Sequence, residues 1–242
     1  MNLKIATFNI KDNFNSYCGG ISKKINRPLE YSKIINDNRI DVIATQELTS
    51  RFTKNLQKYL TKYSFYGKYR FSKFLKFIPY NENNDIITTK NVINMNQYKL
   101  PGTNKIMESI KHKTIFKRLV NILIIEEEHK KVCIINTHLS SSSQIIKNIQ
   151  INKLINIIEE YKNYPIILMG DFNMSAFNNN YKKFLKYMDK IGIKEVNING
   201  STFKDKQIDH ILISNNIKVK NIKIIDCSNL SDHHGIVLEI SV

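Results

Sequence analysis

Short apolar runs punctuate this chain, and most of them stop on a polar residue. Leu3, Ile5 and Thr7, with Phe8 and Ile10, predict a strand over residues 3–10 with Asn9 at its end. Pro28 then opens a helical pattern through Leu29, Ile34, Ile35 and Ile40, at a first-turn position that has no use for an N–H. Residues 41–47 predict a second strand closing on Glu47, and Thr49 or Ser50 can cap a helix carrying Phe52, Leu56 and Leu60. Strand-like pieces at 86–89 and 92–95 precede a loop over 98–113. Two strands, 116–126 and 131–138, flank the charged turn Glu127-Glu128-His129-Lys130, and the second ends in Asn136-Thr137-His138-Leu139. Serines 140–143 cap a helix whose apolar face is Ile146, Ile149, Leu154, Ile157 and Ile158. The run from Pro165 to Met169 is too short for a helix; it reads as a buried strand that delivers Gly170-Asp171-Phe172-Asn173. A helix about 181–190, a strand over 207–213 and a last strand over 235–240 complete the pattern. No repeat, linker or low-complexity tail interrupts it, so residues 1–242 are expected to form one domain.

Composition narrows the setting. No run approaches the roughly 18 apolar residues of a membrane span. The first residues turn polar too soon for a signal-peptide core, which points to a cytoplasmic protein without a membrane span. Cys18, Cys133 and Cys227 show no metal spacing, in keeping with a reducing compartment. A formal charge of +16 invites a polyanionic partner, with nucleic acid, DNA or RNA, the leading choice. Arginine stands at only five positions (27, 39, 51, 70 and 118) and the other 32 basic residues are lysine, in a chain also rich in Asn and Ile. Such a bias follows from an AT-rich genome as well, so the charge raises the odds only modestly. Between Tyr59 and Tyr80, aromatics interleave with cations: a stacking surface for nucleic acid, or a strand with core aromatics and solvated lysines. No obligate protein partner is implied.

The chemistry lies where strands end or begin. Asn9, Glu47, His138, Asp171 with Asn173, Asp209, and Asp232 with His233 all occupy such positions. Several strands each donating a polar group is how a sheet builds a site at one edge. Glu47 and Asp232 offer anionic oxygens suited to Mg²⁺ or Mn²⁺, while the two histidines and Asp209 suit acid–base work near neutral pH. Taken singly, each has a plain structural alternative: an Asx turn for Asp171 and Asn173, a solvated carboxylate for Glu47, a satisfied histidine for His138. Their joint order along the chain is what argues for a site.

In that order the motifs Thr7-Phe8-Asn9-Ile10, Gln46-Glu47, Asn136-Thr137-His138-Leu139, Gly170-Asp171-Phe172-Asn173, Ile208-Asp209-His210-Ile211 and Ser231-Asp232-His233 resemble the endonuclease/exonuclease/phosphatase superfamily, the group containing DNase I and the exonuclease III-type repair endonucleases. The resemblance spans nearly the whole chain. It implies a four-layer α/β/β/α sandwich (α/β, α+β) of two packed mixed β-sheets flanked by helices, and metal-dependent hydrolysis of a phosphoester. Residue by residue, it implies Glu47 as principal metal ligand, helped by Asp232 and Asn9. It implies Asp171 and Asn173 as the pair orienting water and scissile phosphate, and His233 as a histidine held by Asp209. His138 matches the histidine of the DNase I-like and sphingomyelinase-like branches, with Glu82 of Tyr80-Asn81-Glu82 as the carboxylate that holds it. Arg118 matches a phosphate-contacting arginine, and Tyr80 and Asn9 complete the implied substrate contacts.

Several positions depart from the branches. Thr49 stands where DNase I has a groove-reading arginine, Lys11 where repair endonucleases place an acid, and His234-Gly235 where an aromatic or small residue and a proline are common. The inositol-phosphatase signatures are absent. The resulting expectation is a Mg²⁺-dependent phosphodiesterase, with Mn²⁺ as substitute, acting as a nuclease with Asp171 or His233 activating the water. A lipid-head-group or small-molecule phosphodiesterase or phosphatase of sphingomyelinase type is the first alternative, and a catalytically dead binding module the second.

Overall fold

The computed structural model describes residues 1–12, 25–67, 82–102 and 117–242. Two six-stranded mixed sheets pack face to face. The first contains β1 (Asn2–Asn9), β2 (Val42–Gln46), β3 (Ser64–Tyr66), β4 (Ile86–Thr88), β11 (Lys218–Ile225) and β12 (Gly235–Ser241), in the order β11-β12-β1-β2-β4-β3. The second contains β5 (Asn91–Lys99), β6 (Leu119–Glu127), β7 (Lys130–His138), β8 (Ile166–Asp171), β9 (Ile193–Glu195) and β10 (Asp209–Ser214), in the order β5-β6-β7-β8-β10-β9. Helices α1 (Arg27–Asp37) and α2 (Ser50–Tyr59) cover the first sheet; α3 (Gln144–Glu160) and α4 (Asn179–Lys190) cover the second. This is the four-layer α/β/β/α sandwich expected from the motifs.

The period-two alternation of the strands sorts their side chains into three apolar layers. Leu3, Ile5, Val42, Ala44, Val132, Ile134, Ile167 and Met169 meet between the sheets. Their neighbours on the opposite face pack outward, Ala6, Phe8 and Ile43 under α1 and α2, and Cys133, Ile135 and Leu168 under α3 and α4. Continuing the same inner face toward the strand ends, the apolar layer becomes polar. Gln46 Nε2 donates to Asn136 Oδ1 (2.8 Å) and Thr7 Oγ1 (3.1 Å), and Asn136 Nδ2 donates to the Thr45 and Asp85 carbonyls (both 2.9 Å). One residue pair further lie Asn9, Glu47, His138 and Asp171. Two parallel pairs bring them there. β1 and β2 are joined through α1 with Asn9 opposite Gln46, and β7 and β8 through α3 with His138 opposite Asp171.

Several boundaries differ from the sequence expectation. The β6–β7 turn is only Glu128-His129, both left-handed (φ 52° and 63°), and Glu127 and Lys130 belong to the strands. That handedness suits the twist of a two-residue hairpin. Tyr98 and Lys99 extend β5 rather than opening a loop, and β9 and β11 carried no clear pattern. All three are edge strands, with solvent on part of their surface, so neighbours rather than alternation fix their pairing. Ile149 is 38% exposed instead of joining the apolar face of α3, while Lys147 and Gln150 are buried there. Thr49, not Ser50, caps α2. Tyr63, Phe65 and Tyr66 are half-buried against the core clusters, and residues 68–80 of the aromatic and basic stretch lie outside the described residues. Cys133 and Cys227 are buried free thiols. Among the described residues no helix is long and apolar enough to cross a membrane.

Asp85 gives the fold a pH signature. Its carboxyl is fully buried, accepting from Asn83 Nδ2 and, at 3.5 Å, from Thr53 Oγ1, and burial lifts its pKa to about 7 against those lowering hydrogen bonds. A folded pKa above the unfolded value stabilises fully below about pH 4, and that stabilisation is lost as pH rises through about 7. Asp85→Asn should therefore flatten the decline in stability between pH 4 and 8 and leave the variant the more stable protein at pH 8, by on the order of a few kcal/mol. Denaturant unfolding of both proteins across that range checks this; parallel curves would place the titration elsewhere.

Candidate active site

Three of the polar groups at the sheet edge, Asp171, Asn173 and Glu47, are set by local backbone features. Gly170 has φ 144°, and a Cβ there would collide with the Thr137 carbonyl oxygen, so glycine lets β8 press against β7 immediately before Asp171. Beyond Asp171 the Asn173 N–H turns back to Asp171 Oδ1 (2.8 Å) and Asn173 takes a left-handed φ of 51°. Glu47 is also left-handed, at φ 58°, a conformation an L residue adopts at a cost of about 1–2 kcal/mol. The turn swings its carboxylate off the end of β2 toward Asn9.

Asn9 lies between two carboxylates. Its Nδ2 donates to Glu47 Oε1 at 3.2 Å and to Asp171 Oδ2 at 3.0 Å. His138 Nε2 completes this group, 3.4 Å from Asp171 Oδ2 and 3.8 Å from Glu47 Oε1. On the other side of its ring, Nδ1 meets Arg118 Nη1 at 2.9 Å. A guanidinium can only donate, so Nδ1 accepts and the ring proton sits on Nε2, facing the carboxylates. Glu82 Oε2 lies 3.9 Å from the same Arg118 nitrogen, so Arg118 links it to His138.

Asp171 belongs to a second group as well. The β8–β10 register sets Asp209 directly opposite it, and Asp209 Oδ2 is 2.8 Å from His233 Nδ1. Thr202 Oγ1 accepts the Ile208 and Asp209 N–H groups, and the Phe203 ring lies 4.7 Å from that of His233. The His233 N–H donates to Ser231 Oγ, which itself donates to the Asn9 carbonyl (2.8 Å), tying the loop before β12 to the end of β1. Burial drives the His233 pKa down, but Asp209, Asp171 and Asp232 together lift it to about 9. Burial and the facing Asp209 push Asp171 up to about 7.

The structure thus brings together Asn9, Glu47, His138, Asp171, Asn173, Asp209 and His233, with Arg118 and Glu82 behind His138; Asp232 acts electrostatically on His233 but belongs to neither group of candidate metal ligands, and Tyr80 lies outside the described residues. Asp232 arrives with a partner the sequence did not suggest, Lys11 Nζ at 2.6 Å on its Oδ2. Lys147 was also missed. It is a lysine buried on α3 whose Nζ reaches the Asn173 carbonyl (2.9 Å), and the only sequence signal was a charge inside an apolar helical pattern.

The donor set fits a hard divalent cation. Glu47 and Asp171 offer carboxylate oxygens in one group of atoms lying within 4.8 Å of one another, and Asp171 and Asp209 do so in a second; His138, with its proton on Nε2, and His233, protonated, flank these oxygens as hydrogen-bond donors rather than as ligands. Asp209 Oδ1 and Asp232 Oδ1 are buried with no hydrogen-bond partner among the described residues, an expensive arrangement for carboxylates that a cation would relieve.

A family model for the endonuclease/exonuclease/phosphatase family matches residues 6–233. The chain belongs to that family, whose members hydrolyse phosphoesters. Solved structures of the same fold include an endonuclease/exonuclease/phosphatase from Bacteroides vulgatus (TM-score 0.83, 18% identity, 100% of this chain and 99% of that one). A mannosyl-6-phosphatase from Bacteroides thetaiotaomicron (0.80, 17%, 99% and 100%) and D. rerio TDP2 complexed with a single-strand DNA product (0.73, 15%, 100% and 99%) also match. No curated protein matches the sequence significantly.

Proposed function

We propose that this family member is a single-domain, Mg²⁺-dependent phosphodiesterase whose substrate is a nucleic acid. One observation carries the reading: Asp171 stands in both carboxylate–histidine groups at once, with Glu47 and His138 on one side and Asp209 and His233 on the other. A phosphodiester fitted there has a base, a cation site and a protonated imidazole around one phosphorus.

The side chains divide the work. Asp171, with a pKa lifted to about 7, takes the proton of an attacking water as it becomes a nucleophile in line with the leaving oxygen. His233, protonated at neutral pH and oriented by Asp209, sets positive charge against the phosphoryl oxygens and holds a proton for the leaving oxygen. Asn173 orients the phosphate through its amide, Asn9 holds the Glu47 and Asp171 carboxylates in place through its own, and Arg118 fixes the His138 tautomer. Held at Glu47, a Mg²⁺ ion would polarise a phosphoryl oxygen as a Lewis acid.

Nucleic acid is favoured over a lone head group by the positive charge of the chain. Helix α2 starts three residues after Glu47 and lines a shallow depression of about 500 Å³ with Arg51, Lys54 and Lys58, in a chain of net charge +16. Structural likeness extends both to a protein bound to single-strand DNA and to a sugar phosphatase. A comparison of single- and double-stranded DNA, RNA, sphingomyelin and mannose 6-phosphate at one Mg²⁺ concentration decides between them. Cleavage of a polynucleotide at a kcat/KM at least tenfold above the other substrates is the expected result; a preference for the phospholipid or the sugar monoester overturns it.

A further inference from the structure

The turn after Asp171 exposes two consecutive main-chain carbonyls, Asn173 and Met174, and each meets a buried basic side chain from a different element. Lys147 Nζ, from α3, donates to the Asn173 carbonyl at 2.9 Å. His210 Nε2, from β10, lies 2.7 Å from the Met174 carbonyl. Neither is a chance surface contact. Lys147 is 7% exposed, and burial lowers its pKa against the opposing field of Asp171. His210 is fully buried, wedged between Phe172 and Tyr181 with ring centroids at 5.5 and 4.2 Å. A carbonyl oxygen only accepts, so Nε2 donates to it, and on the far side of the ring Glu195 Oε1 lies 2.5 Å from Nδ1 and accepts from the Tyr181 hydroxyl at 2.8 Å.

Placing a lysine and a histidine inside an apolar helix–sheet layer, with the partly exposed Glu195 carboxylate at its rim, opposes stability, and well-packed apolar residues would serve the fold as well. What these groups secure is the geometry of one turn. Asn173 is left-handed (φ 51°), its N–H is spent on Asp171 Oδ1, and its Nδ2 donates to the Leu139 carbonyl at 3.1 Å. With its own carbonyl and the next one both gripped, the amide is left a single orientation relative to Asp171.

We propose that Lys147 and the His210–Glu195 pair are positioning residues that clamp the Asn173 and Met174 carbonyls and thereby hold Asn173 beside the phosphate. Neither touches substrate. The proposal rests on the hydrolase reading only for its effect on turnover; the clamp itself is a property of the folded chain.

Residue-resolved amide hydrogen exchange tests it without any substrate. In Lys147→Met the Asn173 N–H should exchange at least about tenfold faster while the amides of β12 keep their protection. Lys147→Arg, which restores a donor, should return the rate toward wild type. Glu195→Gln, gentler than His210→Phe, should loosen the same turn. Unchanged exchange at residues 171–174 in both Lys147→Met and Glu195→Gln overturns the clamp, whatever the enzyme assays give. In those assays kcat should fall about 10–100-fold with KM nearly constant, because the lost quantity is alignment. In an Asn173→Ala background Lys147→Met should add almost nothing. A full, independent loss there would show that Lys147 acts on the reaction by another route and overturns the assignment. A wild-type protein that cleaves no phosphoester would sink the proposed function while leaving the exchange result to decide the clamp.

Discussion

Replacing His233 with Ala should lower kcat about 10²–10⁴-fold, the usual contribution of a positioned acid or base, with little change in melting temperature. His233 lies at the edge of the sandwich, packed mainly on Phe203, so its removal opens no large apolar cavity. Asp209→Asn should fall nearly as far. It retains the shape but withdraws the charge that most strongly raises the His233 pKa, so the alkaline limb of its pH–rate profile should move below the wild-type value near 9. Because the two act as a unit, the double variant should be little worse than the worse single one. Multiplicative losses would mean independent roles, and near-normal turnover would remove both from the reaction.

Glu47 should show an equally large effect with a different thermodynamic profile. Glu47→Gln keeps the side-chain shape and the Asn9 contact but removes the anionic charge, so Mg²⁺ affinity measured by calorimetry should drop about 100-fold or more, and activity with it. Glu47→Gly should be just as inactive yet should melt within a few degrees of wild type. Relief of a left-handed glutamate, about 1–2 kcal/mol, offsets the roughly 0.5–1 kcal/mol that glycine loses in backbone entropy. A strained residue that the fold does not need is one held for its chemistry. Unaltered metal binding in Glu47→Gln would move the cation site elsewhere in the cluster.

The candidate site was legible in the sequence because the fold gathers strand-end polar residues in a simple way. On β1, β2, β7 and β8 the inner-facing alternation runs apolar until the last one or two steps and then turns polar, at Thr7 and Asn9, Gln46, Asn136 and His138, and Asp171. An apolar run ending in a polar residue therefore marks both the layer and the edge. Residues that reach the site sideways leave no such mark. Lys11 follows a strand end and looks like any of the 32 lysines, and only the structure shows it on Asp232. Lys147 and His210 approach from α3 and β10 and act on main-chain carbonyls, which have no sequence signature at all. The same limit governs the edges: β5, β9 and β11 are recruited by their neighbours rather than by their own pattern. Glu82 was expected to hold His138; the structure sets Arg118, itself expected to contact phosphate, between Glu82 and the His138 ring.

The most direct test of the hydrolase account is one assay of the purified chain on a nucleic acid phosphodiester, run as a metal series. Hydrolysis should proceed in millimolar Mg²⁺ or Mn²⁺, vanish in EDTA and return on adding either ion back, as expected for hard oxygen donors at Glu47 and Asp171. Full turnover after exhaustive chelation, or a requirement for tightly bound Zn²⁺, would contradict it.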